Sequence, residues 1–447
     1  MKTRTVSSKD IFDTMRFDGS YHNADVNVYS GVIERHSEHR LKFYCTEIYT
    51  SGRNKRVYTS KAFGYPFLSN SDVVSANPFL SCKYSSKKYG YDEKAVLKKG
   101  MILTGRVGAI GQTAFVPEYI EKAKAMGSDN IIRICVRPEY LNGFIYAYLA
   151  SRVGNLSFWK HATGGVQPFI NDTMVGELPI PKFPDDFQKE IDDLIQESAR
   201  LREEAVDALN EAINLFESEI GSSKVDLGYN TKSIKSSSIS ARFCRFDSQF
   251  QIGKAQITKY PNMIKIGNVA AKIFVGNRGK RYYVNNGIPF LSSSDMMLAN
   301  PLRYCKYISK NTPSLSDMIV NNRDILISRS GTVGNTIIVG NTLSGVAVSE
   351  HAMRLVIDSS IMSPEYVFAY FMTKHGHDAL QVLPYGSVIV TLGEDFLADV
   401  DLPIIDKGKM DSIIQFVSNY IEKQDKSVEL ENLAIFKVET EIEKWKN

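Results

Sequence analysis

Three cations and a phenol crowd into Gly52-Arg53-Asn54-Lys55-Arg56-Val57-Tyr58, and the pattern returns as Arg278, Lys280, Arg281 and Tyr283. Bases paired beside a tyrosine and flanked by Gly or Asn suit a loop that grips a sugar-phosphate backbone. Guanidinium and ammonium groups neutralise phosphate, and the phenol adds a hydrogen bond. The alternative is a solvated basic turn, since isolated Lys and Arg are usually exposed. Recurrence favours the grip. If two such readers recognise different sequences, residues identical in both cannot carry the difference. Shared residues then hold the fold or touch phosphate, and base readers belong where the copies diverge: 21–51 against 249–276, and 116–130 against 339–351. Polar mismatches within the shared part, Asn70 against Ser293 and Gln112 against Asn335, are secondary candidates for contact with a duplex. Two glycine-containing loops, 161–167 and 383–388, either approach the duplex or merely turn.

Catalytic chemistry has no comparable signature. The spaced glycines of Gly105-Arg106-Val107-Gly108-Ala109-Ile110-Gly111 recur only partly at Ser328-Arg329-Ser330-Gly331-Thr332-Val333-Gly334. They bridge two expected strands where a dinucleotide loop would open a helix, so they read as a turn. Asn77-Pro78-Phe79 lacks the second proline of an amino-methyltransferase motif, and its counterpart Asn300-Pro301-Leu302 lacks the ring that would stack a flipped base. Both read as turns. No Walker A sequence and no metal-type His/Cys spacing occurs; His375 and His377 flank Gly376 without a third ligand and read as a solvated pair. The chain is therefore expected to be non-catalytic, with no metal and no bound cofactor.

The elements that must position the basic loops are themselves duplicated. Residues 64–116 and 287–339 align without a gap at an offset of 223, with 22 identities in 53 positions. Gly64-Tyr65-Pro66-Phe67-Leu68-Ser69-Asn70-Ser71-Asp72 returns as Gly287-Ile288-Pro289-Phe290-Leu291-Ser292-Ser293-Ser294-Asp295, and Cys82-Lys83-Tyr84 as Cys305-Lys306-Tyr307. Arg245-Phe246-Asp247 echoes Arg16-Phe17-Asp18 at the start of each copy. β-Branched and aromatic runs at 101–104, 113–116 and 131–136, broken by Gly and Asn, predict strands. Helices are predicted over 140–152 and 366–374, and each head closes on Leu178-Pro179-Ile180-Pro181 or Leu402-Pro403-Ile404-Ile405. The fold class is mixed α/β, with two similar globular heads.

A long helix is expected after each head. Pro184 followed by Asp185 and Asp186 suits a helix start. Phe187, Ile191, Leu194, Ser198, Leu201, Ala205, Ala208, Ala212 and Leu215 then alternate in steps of four and three, a coiled-coil seam with one polar member. A second row, Leu209, Ile213, Phe216 and Ile220, lies beside it, and Gly221 ends the helix. The second helix repeats the pattern through Ile414, Val417, Ile421, Gln424, Val428, Glu431, Ile435, Val438, Ile442 and Trp445, with Gln424 and Glu431 interrupting. At 1.5 Å per residue each rod would be about 55 Å long. An antiparallel pair would relate the heads by an approximate two-fold axis, as the pseudo-dyad of a duplex requires. Residues 222–240, rich in Ser and Lys, read as a linker.

A chain of 447 residues exceeds what one core usually supports. No apolar stretch is long enough to span a bilayer and no secretory leader follows Met1-Lys2-Thr3-Arg4, so no membrane is expected. Five cysteines without Cys-x-x-Cys point to the reducing cytoplasm, and Cys82 and Cys305, at equivalent places, read as small buried residues. The net charge of +4 hides a division: 184–220 carries −9 and 406–447 carries −2, which leaves +15 on the heads. That excess points the heads at a polyanion and leaves the helices for protein partners.

Taken together, the duplicated Gly-x-Pro-Phe-Leu-Ser segment, the Arg-x-Gly-x-x-Gly turn, the Leu-Pro-x-Pro approach to a helix and the head–helix–head–helix order resemble the specificity subunit of type I restriction–modification systems, over essentially the whole chain. The departures are Ile405 where copy one has Pro181, and the polar breaks in the second seam. The resemblance implies a first target recognition domain over 1–182, a spacer helix over 183–221, a linker and second target recognition domain over 222–404, and a second spacer helix over 405–447, the helices pairing antiparallel. It implies double-stranded DNA, two methyltransferase (modification) subunits and restriction subunits as partners, with S-adenosylmethionine on the methyltransferase subunit and not on this chain. Adenine N6 methylation, or cleavage of unmodified DNA, would then be directed to a bipartite sequence. Two other classes stay open: a single-chain methyltransferase or nuclease with an unrecognised site, and a coiled-coil scaffold whose heads bind proteins.

Overall fold

The computed structural model describes residues 5–17, 19, 21–22, 24–53, 55–80, 82–108, 110–164, 167–221, 225, 235, 245–257, 259–386, 388 and 390–446. The expected linker over 222–240 lies outside the described residues, save positions 225 and 235. Two compact units emerge, Met1–Glu203 with Lys426–Asn447, and Glu204–Asp425. The division falls inside the two long helices, Asp185–Ile220 and Lys407–Lys444. Each unit is therefore a head with half of each long helix.

The first unit carries β1 (Ser37–Arg40), β2 (Cys45–Thr50), β3 (Tyr58–Thr59), β4 (Gly64–Leu68), β5 (Lys83–Ser86), β6 (Ile102–Gly105), β7 (Thr113–Phe115), β8 (Met126–Gly127), β9 (Ile131–Val136) and β10 (Pro179–Pro181). An antiparallel sheet runs β2-β9-β6-β7, and a second, mixed sheet runs β3-β5-β4-β8 with β4 and β8 parallel. β10 pairs with β1, where its two prolines cost no ladder bond that an edge strand needs. The runs read as strands are strands because both faces of their sheet are covered: Ile102, Ile132 and Ile134 pack into one core cluster, Leu103 and Ile131 into another. Helix Asn142–Ala150 is apolar on every side and buried from Gly143 onward. Its first turn is satisfied by the long helix, Gly143 N–H donating to Asp192 Oδ1 at 2.7 Å.

In this unit the two helix segments run in opposite senses, Glu190 meeting Lys437 at 2.6 Å and Ser198 meeting Ser427. The polar seam positions are not defects. Ser198 and Ser427 hydroxyls each donate to the other's carbonyl, at 2.8 and 2.9 Å. Buried Glu431 accepts from Arg202 at 2.9 Å and from the Tyr146 hydroxyl. Ile191, Ile195, Ala434, Ile435, Val438 and Ile442 join the head's own core.

The second unit carries β11 (Met263–Lys265), β12 (Ala270–Val275), β13 (Tyr283–Val284), β14 (Ile288–Leu291), β15 (Lys306–Ile308), β16 (Ile325–Ser328), β17 (Thr336–Ile338), β18 (Ala347–Val348), β19 (Ala352–Ile357) and β20 (Asp401–Pro403). Its sheets run β12-β19-β16-β17, β13-β15-β14-β18 and β11-β20, matching the first unit strand for strand. The helix segments again run in opposite senses, with Glu219 on Lys409 and Glu204 on Lys423. Gly221 closes the central helix in the left-handed region, φ +75°, its N–H bonded to the Glu217 carbonyl at 2.8 Å.

Three expectations change. The deepest stripe of the central helix is Ile191, Ile195, Ser198, Ala205, Leu209, Ala212, Phe216 and Ile220, while Leu194, Leu201, Ala208 and Leu215 are half-buried. Packing against a head as well as a partner helix demands a wider apolar sector than a two-helix seam and rotates its centre. His375 is not solvated: it is 6 % exposed and bonds the Tyr260 hydroxyl at 3.0 Å and the Gly221 carbonyl at 2.8 Å. Cys82 and Cys305 are half-buried, each thiol reaching the carbonyl three residues back, of Phe79 and Leu302.

Candidate nucleic-acid interface

The duplicated Pro-Phe-Leu-Ser-x-Ser-Asp segment is a strand that ends in a capped turn. Ser69 N–H and hydroxyl both donate to Asp72 Oδ2 at 2.7 Å, and Ser292 does the same to Asp295 at 2.8 and 2.7 Å. This fixes the exit of β4 and β14, whose phenylalanines floor the basic loops. Phe67 is paired with Lys83 across β4 and β5, and Phe290 with Lys306 across β14 and β15.

On that floor the same cluster is built twice. Arg56 lies over the Phe67 ring, 5.3 Å from its centroid, and Arg281 over Phe290 at 4.9 Å. Tyr58 meets Phe67 edge-on at 6.1 Å and Tyr283 meets Phe290 likewise at 6.1 Å. Lys83 and Lys306 ammonium groups stand 4.9 and 5.5 Å over those tyrosines. Each cluster closes on one acid. Asp129 takes Arg56 Nη2 on Oδ1 and Arg53 Nε on Oδ2, the latter at 3.3 Å. Glu350 takes Arg281 Nη2 on Oε2 and Arg278 Nε on Oε1, the latter at 3.4 Å. Both acids are nearly covered, at 9 and 11 % exposure, while the outer arginines Arg53 and Arg278 are 82 and 80 % exposed. Burial pushes the Glu350 carboxyl up, but a backbone hydrogen bond and Arg281 outweigh it and hold the group below the usual carboxylate range.

Both acids stand on the link between the sheets, after β8 or β18 and before β9 or β19. Ser128 N–H bonds the Leu68 carbonyl and Arg106 N–H the Asn130 carbonyl; Ser349 and Arg329 repeat this with Leu291 and His351. A buried arginine anchors each link. Arg133 gives its Nη groups to the carbonyls of Ile131 at 2.8 Å, Gly127 at 2.6 Å and Ala95 at 3.1 Å. Arg354 does so to Ile319 and Asp317. Burial lowers the pKa of both guanidinium groups.

The glycine-rich segments are turns joining β6 to β7 and β16 to β17. Gly108 and Gly111 take φ of +77° and +74°, Gly331 and Gly334 +79° and +91°, a region that penalises any side chain. Phe169 bridges both Thr163, in loop 161–167, and Val107, in the first turn, and Thr391 bridges both Tyr385, in loop 383–388, and Ser330, in the second; 165–166 and 387 lie outside the described residues. His351 Nδ1 meets the Ser330 hydroxyl at 2.7 Å.

Of the residues singled out by sequence, Arg53, Arg56, Arg278 and Arg281 converge on the two acids, Tyr58 and Tyr283 join them through the shared phenylalanines, and Lys55 and Lys280 are exposed in the same loops. Asn70 is half-buried, and its amide donates to the Val107 carbonyl at 3.2 Å, beside the glycine turn. Ser293, Gln112 and Asn335 are half-buried around the same turns and outside the arginine–acid pairs. Sequence reading missed Asp129, Glu350, Arg133 and Arg354. A faint signal existed, since Ser128-Asp129-Asn130 and Ser349-Glu350-His351 correspond at an offset of 221, two residues out of the main register.

Neither a sequence-family model nor a curated protein matches this chain. Among solved structures it is similar to the HsdS subunit from Thermoanaerobacter tengcongensis, at 15 % identity over 88 % of this chain and 93 % of that one, with a TM-score of 0.28. It is also similar to the S subunit of the type I restriction-modification system from M. genitalium, at 12 % identity over 91 and 94 %, TM-score 0.34. A structure describing complex assembly and conformational transition of the type I restriction-modification system aligns at 14 % identity over 91 and 94 %, TM-score 0.30. Similarity at this level fixes no function.

Proposed function

We propose that the chain is the non-catalytic, DNA-reading specificity subunit of a type I restriction–modification assembly. The observation that carries this is the twofold construction of one cationic cluster: two arginines, a lysine and a tyrosine over a phenylalanine, at the same sheet junction in each unit. Two copies of a phosphate-facing site in one chain suit a bipartite duplex target. The +15 excess outside the long helices supports the same reading. A scaffold for proteins has no comparable use for a duplicated cation cluster.

Arg53, Lys55, Arg278 and Lys280 would meet phosphate, with Arg56, Arg281, Tyr58 and Tyr283 fixing the loops from beneath. Asn70, Gln112, Ser293 and Asn335 would act through or beside the glycine turns, and base edges would be read from the divergent segments. The long helices, pairing antiparallel as one rod, would hold the two heads for half-sites separated by a fixed, unread spacer. Their acidic faces would dock two methyltransferase subunits, which bring S-adenosylmethionine, and with them restriction subunits. Exchanging residues 1–182 for the head of another such chain is expected to change one half-site of the methylated sequence and preserve the other. Change in both, or in neither, would contradict the reading.

A further inference from the structure

The proposed reading treats the arginines as the contacts; the acids beneath them have a separate role, which rests on that reading. A carboxylate buried in the middle of a phosphate-binding cluster opposes the charge the cluster needs. Yet both units retain one, supplied by different residue types, with the same atom-to-atom pattern: inner arginine Nη2 on one oxygen, outer arginine Nε on the other.

We infer that Asp129 and Glu350 are positioning residues that hold the outer arginines, Arg53 and Arg278, with both Nη groups presented to one backbone phosphate of the target, and that each acid withholds the cluster from DNA out of register. Each outer arginine meets its acid through Nε while its side chain is about four-fifths exposed, and a guanidinium has further N–H donors on its Nη groups with which to grip two acceptor oxygens at once. The outer contact is long and its arginine about four-fifths exposed, a pairing weak enough for a phosphate to take over. The inner arginine stays on the acid over its phenylalanine. Because the acid cancels one of the two guanidinium charges, a duplex presented out of register meets one positive charge fewer than it would without the acid. Selectivity then comes from geometry and less from charge.

The test is selection of bound fragments from a random duplex pool by the full chain, with affinity for unselected duplex measured against salt. Asp129→Asn is expected to raise affinity for unselected duplex roughly three- to ten-fold and steepen the slope of log K against log salt by about 0.9, one phosphate's worth. It should flatten the sequence preference at one half-site only, and Glu350→Gln should do so at the other. Asp129→Glu, which installs the acid of the second unit, should restore the preference lost in Asp129→Asn. A purely structural acid predicts weaker binding to all DNA with an unchanged slope, and that result, or sharp half-sites in both neutral variants, overturns the inference while leaving DNA reading intact. If the unaltered chain enriches no sequence, the DNA-reading proposal fails instead.

Discussion

Arg53 and Arg56 are three residues apart, yet they differ in what they touch. The outer one is solvated and grazes Asp129; the inner one is clamped between that acid and the Phe67 face. Arg53→Ala is therefore expected to shift stability by no more than about 0.5 kcal/mol and to lower the salt slope of DNA binding by about 0.9, read by titration at several ionic strengths. Arg133→Met should behave oppositely. It strands carbonyls that the guanidinium satisfies, costing about 3 kcal/mol in urea unfolding, with the salt slope unchanged. The basic residues were legible in sequence because cations flanked by Gly or Asn recur in both copies. Asp129 and Glu350 were not, since they lie where the copies slip by two residues, and only the closure of one sheet onto the other brings them under the arginines. Arg133 and Arg354, inside apolar strands, carried no mark that distinguished anchor from accident.

At the scale of elements, the seam owes its polar members to specific partners. Arg202→Ala leaves Glu431 buried without its cation and is expected to cost about 3–5 kcal/mol, whereas replacing both with Met and Leu should be close to neutral; equilibrium unfolding of the full chain separates the two. Helix position was legible from the four-three spacing, and the glycine turns from their placement between β-branched runs. The rotation of the buried stripe toward Ile195, Leu209 and Phe216 was not, because a two-helix pattern says nothing of the head that also covers the helix. His161 and His377, within or at the end of head helices, have their pKa lowered by burial. The unfolded chain then takes up protons first, so the stability they contribute is present above about pH 6.5 and lost as pH falls below it. His377→Gln should reduce that loss in thermal melts compared between neutral and mildly acidic buffer.

At the scale of the whole molecule, duplication was the most legible feature, because 22 identities at a constant offset survive in sequence and return as the same strand order in each unit. On the proposed function, what the heads read would be written in the segments that diverge, where a single sequence offers no second copy for comparison. The central claim is that this chain alone chooses the site at which a partner methylates DNA. Single-molecule sequencing of modified adenines in the host genome, with and without the chain, tests it most directly. The account predicts one bipartite motif, two unlike half-sites around a fixed spacer, that vanishes when the chain is removed. A methylation pattern that persists without it would contradict the account.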